Sequence, residues 1–97
     1  MRDIILIGGG KGADLFIRSF HTYDKVFLSK DCRILGILDD KATGKRFCDI
    51  PIIGKTKDIL NFDSKNTDLL ITISSNMKFR KDFYNEYRTI YKFINFH

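Results

Sequence analysis

Ile4, Ile5, Leu6 and Ile7 form an unbroken apolar row, and Gly8-Gly9-Gly10-Lys11-Gly12 follows it directly. A strand sends successive side chains to opposite faces, so a row with no polar member predicts a strand buried on both faces, inside a sheet. Lys11 to about Phe27 changes period and reads as the first helix. Ala13, Phe16, Ile17 and Phe20 fall at offsets of 0, 3, 4 and 7, which puts them on one stripe of a helix. A buried strand, a glycine-rich turn and a helix, in that order, make a phosphate-cradling arrangement. The glycines let backbone N–H groups come close to a ligand, and the helix start adds a positive dipole end.

The rest of the chain repeats the alternation. Arg33–Leu38 reads as a second strand, preceded by a polar loop at Ser29–Asp31. Asp39–Arg46 is polar, contains Gly44 and reads as a loop; Ile50–Ile53 is a short third strand closed by Gly54. Thr56–Phe62 predicts a short helix with Thr56 as its N-cap. Leu69–Ile73, interrupted only by Thr72, is a fourth strand. Met77 to about Arg88 is a second long helix, with Phe79, Phe83 and Tyr87 on one face, and Tyr91–Phe96 is a last strand. Apolar strands separated by helices imply a parallel sheet covered on both faces. The expected class is α/β, a three-layer Rossmann-like sandwich with a five-stranded parallel sheet, strands one and four central. Right-handed crossovers bring the ends of strands one, two and four to one edge.

Ninety-seven residues make a single domain, spanning 1–97. No apolar run approaches the about 20 residues that cross a bilayer, and the amino terminus lacks a signal-peptide core, so the expected location is the cytoplasm, with no membrane partner. Cys32 and Cys48 form no CxxC pair, and His21 and His97 stand apart, so no metal set is expected. The net charge of +5 suits an anionic ligand. The basic residues are dispersed without a nucleic-acid motif, which argues against nucleic acid as the partner.

The candidate ligand-binding residues lie at the predicted strand ends. Gly8-x-Gly10-x-x-Ala13 matches the dinucleotide pattern, with Gly8 for the tight turn and Gly10 for close approach to a pyrophosphate. Gly12 belongs to the same loop, and Lys11 is either a phosphate partner or a solvated lysine. Asp39 ends the second strand, 31 positions after Gly8, where a carboxylate accepts hydrogen bonds from a ribose diol or an imide N–H. Asp40 follows it, and two successive side chains of an extended chain point apart. Ser75 and Asn76 close the fourth strand, where they can cap the next helix, touch a ligand or do both. No catalytic set is evident.

Ile4–Ala13, Ile34-Leu35-Gly36-Ile37-Leu38-Asp39-Asp40, Ile50-Pro51-Ile52-Ile53-Gly54, Ile71–Arg80 and Phe93–His97 together resemble the N-terminal domain of PglD-type bacterial sugar acetyltransferases, the sialic-acid and bacillosamine acyltransferase family. The resemblance covers nearly the whole chain. It implies a Rossmann-like domain that binds a UDP-linked amino sugar. In the family a β-helix of hexapeptide repeats follows, binds acetyl-CoA, carries the catalytic histidine and accounts for oligomerisation. His97 matches the histidine at the start of that β-helix, and no six-residue repeat occurs here: Ile7-Gly8, Leu35-Gly36 and Ile53-Gly54 are 28 and 18 positions apart. The chain by itself is therefore expected to bind no cofactor and to transfer no acetyl group. The family's loop reads Gly-x-Gly-Gly-His; here Lys11-Gly12 stand in the last two places, so the family's histidine contact is lost and a positive charge that suits a pyrophosphate is added. The alternative reading, from the same glycines and Asp39, is an NAD-binding or redox-sensing Rossmann domain.

Overall fold

Apolar runs become strands wherever the sequence lacks a polar face. The computed structural model describes residues 2–9, 15, 17–18, 32–40, 46–47, 50–72 and 77–94. Its strands are β1 (Arg2–Ile7), β2 (Cys32–Leu38), β3 (Arg46–Phe47), β4 (Ile50–Gly54), β5 (Thr67–Ile71) and β6 (Lys92–Phe93). A 3-10 helix, η1, spans Thr56–Asn61, and an α-helix, α1, spans Met77–Tyr87. Leu15, Ile17 and Arg18 are also helical, within the stretch where the first helix is expected.

The sheet order is β3-β4-β2-β1-β5-β6. β1, β2, β4, β5 and β6 are mutually parallel, so the five-stranded parallel sheet of an α/β protein is present. From β1 the chain steps outward through β2 and β4, then returns to lay β5 and β6 on the other side. This reversal falls between β1 and β5. β1 is the centre of the five parallel strands, and β5 is interior, one place off centre.

The central strand separates two buried clusters. Ile4 and Leu6 pack with Ile17, Ile37 and Leu70 on one face. Ile5 and Ile7 pack with Leu38, Ile59, Leu69, Phe83 and Tyr91 on the other. Ile17 is fully buried while Leu15 is 64% exposed, as the predicted helical stripe requires. The Phe79–Phe83–Tyr87 face of α1 forms in full, with ring centroids 5.7 and 4.7 Å apart.

Four expectations are corrected. Arg46 does not end a loop: Arg46–Phe47 pairs antiparallel with Ile50–Pro51 as an extra edge strand. The fourth parallel strand covers Thr67–Ile71, two residues earlier than expected, because Thr67 and Asp68 are buried despite their polarity. Thr56 is the first residue of η1, and Lys55 takes the N-cap position. Of the expected last strand, the described residues Tyr91–Ile94 contribute only Lys92–Phe93. Ala13, Phe16 and Phe20 of the expected helical stripe, and His21, Ser29–Asp31, Gly44, Cys48, Ile73, Asn95, Phe96 and His97, lie outside the described residues.

β2 carries one residue more than β1 uses. Ile4 pairs with Ile34 but Ile5 pairs with Gly36, so Leu35 is the extra residue of a bulge. The pairing of β2 with β4 skips Ile53 in the same way. The side chain of Ile53 lies over Gly36, where a Cβ would stand 2.7–2.9 Å from it. Glycine at position 36 is what lets the second irregularity sit beside the first.

Candidate functional site

The carboxyl ends of the three middle strands meet at one edge. Ile7 is in register with Leu38 on one side and Ile71 on the other, so Gly8, Asp39 and Thr72 follow as neighbours. The ladder runs on past the strands: the Gly8 N–H donates to the Leu38 carbonyl at 2.7 Å, the Asp39 N–H to Gly54 at 3.0 Å and the Thr72 N–H to Ile7 at 3.0 Å. Gly8 then turns the chain with φ 102°, a left-handed conformation in which a side chain is strained.

Asp39 is half-buried, and its Oδ2 accepts the Gly9 N–H at 2.5 Å. The carboxylate ending β2, singled out in the sequence as an acceptor for a ribose diol or an imide N–H, is brought against the glycine turn ending β1 and accepts a backbone N–H there. Because the Gly8 amide is engaged by Leu38, Gly8 supplies the turn, and its N–H is held in the sheet. The Thr72 hydroxyl lies 3.1 Å from the Ile7 carbonyl and donates to the Gly8 carbonyl.

Asp40 faces elsewhere. Its carboxylate accepts the Thr56 N–H at 2.9 Å and the Thr56 hydroxyl at 3.0 Å, at the start of η1. Asp58 completes the end of that helix by accepting the Lys55 N–H at 2.9 Å. Asp39 and Asp40, just beyond β2, thus engage different elements, the glycine turn and the start of η1. Gly10, Lys11, Gly12, Ser75 and Asn76 lie outside the described residues.

Gly9 and Thr72 escape sequence reasoning. Gly9 is the unremarked member of the glycine run. Thr72 had a signal, being the single hydroxyl in an apolar row, but its meaning depends on register with Gly8. Among the described residues no three His, Cys, Asp or Glu side chains gather as a metal site, and no helix is long and apolar enough to cross a membrane. No protein-family model and no curated protein matches this sequence.

Proposed function

We propose that the chain is the nucleotide-sugar-binding module of a bacterial sugar N- or O-acetyltransferase of glycan biosynthesis, as its resemblance to the PglD-type enzymes implies, working in the cytoplasm. The observation that carries the reading is the contact between Asp39 and Gly9, which joins a carboxylate to the glycine turn at the reversal of a parallel sheet. Ligands of such sheets bind outside the carboxyl ends of the strands at the reversal.

The chemistry divides the ligand in two. A carboxylate only accepts hydrogen bonds and repels phosphate, so the part beside Asp39 is neutral and carries donors, a ribose diol or a uracil imide. The Gly9 N–H is taken by Asp39, so the diphosphate falls to Gly10, Lys11 and Gly12. Ser75 and Asn76, which follow β5 in sequence, are the remaining candidate contacts. Acetyl-CoA and the catalytic histidine belong, in this reading, to a β-helix domain of the family.

Calorimetric titration of the folded domain with UDP, a UDP-linked amino sugar and NADH tests the proposal. Binding of UDP and its sugar but not NADH is expected. Absence of UDP binding at millimolar ligand refutes it, and NADH binding in its place establishes the nicotinamide alternative.

A further inference from the structure

We propose that Thr72 is a positioning residue for the glycine turn, acting through the one peptide group that joins Gly8 to Gly9. The inference rests on the nucleotide-site reading and goes beyond it by naming what aims the turn. That peptide group has two polar ends. Its N–H, on Gly9, donates to Asp39 Oδ2; its carbonyl, on Gly8, accepts the Thr72 hydroxyl. Asp39 comes from the end of β2 and Thr72 from the end of β5, the strands that flank β1.

The peptide plane is therefore held from both sides. It cannot rotate about the line joining its two Cα atoms without breaking both bonds. Gly8 has no side chain to restrict rotation, so these two contacts supply the restraint that a Cβ would otherwise provide. The plane sets the direction in which the chain leaves toward Gly10, and hence where the following amides point. The Thr72 hydroxyl has a second acceptor within reach, the Ile7 carbonyl at 3.1 Å, so it does not need Gly8 merely to satisfy itself. Its contact with Gly8 ties the turn to β5.

The test follows the Gly9 amide by NMR in isotope-labelled protein. Thr72→Val should raise its hydrogen-exchange rate by about tenfold or more, while the amides of Ile5 and Leu69 stay protected. Thr72→Ser, which keeps the hydroxyl, should restore protection, and Thr72→Ala serves if the valine variant does not fold. Asp39→Ala should produce a similar rise. Once one end is loose the other restrains little, so the double variant should exceed either single one by much less than the product of their effects. Effects that multiply would overturn the clamp. UDP titration of the same proteins separates the two levels. Wild-type binding with Thr72→Val weakened about fivefold or more, and Thr72→Ser unchanged, supports positioning. Wild-type binding with Thr72→Val equally tight overturns it. No binding by the wild type overturns the nucleotide reading itself, and the positioning role with it.

Discussion

Replacing Tyr91 by phenylalanine removes one oxygen from the apolar side of the sheet and should be costly. Tyr91 is 3% exposed, and its hydroxyl lies 2.7 Å from the carbonyls of both Ile59 and Phe62. Those carbonyls close η1, and the Tyr91 N–H bonds to Tyr87 at the end of α1, so the ring ties one helix to the other. A phenol has a single proton, which the two acceptors share. The variant loses that bond while the Ile59 carbonyl keeps the Phe62 N–H at 3.1 Å, so the cost is that of one net hydrogen bond, about 0.5–1.5 kcal/mol. For a domain of this length the fall in Tm should be about 2–12 °C. Burial, with help from Asp63 and Tyr87, pushes the Tyr91 hydroxyl above its usual value of 10.0. The unfolded chain therefore releases this proton at lower pH than the native one. The stabilisation is complete below pH about 10 and falls as pH rises through the raised value. Burial also raises Tyr87, but Tyr87 remains in both proteins, so the difference between them isolates Tyr91. Thermal melts followed by circular dichroism at pH about 8 and about 11 should show the gap narrowing at the higher pH. A variant melting within about 1 °C of the wild type at pH about 8, or a gap that widens at high pH, refutes the reasoning.

Gly36→Ala should destabilise by about 1–3 kcal/mol in urea unfolding, because its methyl meets the Ile53 side chain, and Ile53→Ala should make the added methyl nearly harmless. Asp40→Ala should cost about 0.5–2 kcal/mol through the exposed start of η1 while leaving UDP affinity within about threefold; a large loss of affinity at unchanged stability would return Asp40 to the ligand.

Most of the sheet was legible because its strands advertise burial. Ile4–Ile7 and Ile34–Leu38 have no polar face, and both became strands near the expected limits. Misplacement began where burial and polarity disagree. Thr67 and Asp68 are 2% and 5% exposed, and hydropathy alone assigns such residues to a loop. β3 is too short to show a period, with Phe47 as its only apolar residue. The N-terminus of η1 was misread because Asp40, the carboxylate holding Thr56, lies 16 positions upstream. Local capping rules look within one turn of the helix. Asp39 was singled out because its place at the end of a strand is itself the signal. Gly9 and Thr72 were not, because each matters only once strands 30 and 64 positions apart in sequence are aligned.

That alignment depends on the skipped residue in β2. If the register of Ile4 with Ile34 continued unbroken, Ile7 would stand beside Ile37, and Leu38 would flank Gly8. The bulge at Leu35 instead sets Ile7 beside Leu38 and Asp39 beside the turn. A one-residue slip also reverses which face each side chain takes. With it, Ile34 and Ile37 share one cluster, while Leu35 and Leu38 share the other. The second skip, at Ile53, keeps β4 in step: Leu38 meets Gly54, and the Gly54 carbonyl receives the Asp39 N–H. At Gly54 a Cβ would stand 2.7 Å from the Asp58 carboxylate that caps η1. The glycines at 36 and 54 thus act at a distance from the site. One accommodates the paired irregularities, the other leaves room for the helix cap beside β2, and together they deliver Asp39 to Gly9. The carboxylate in this turn is positioned by the register of three strands, so a core substitution that shifts that register would move it without touching the loop.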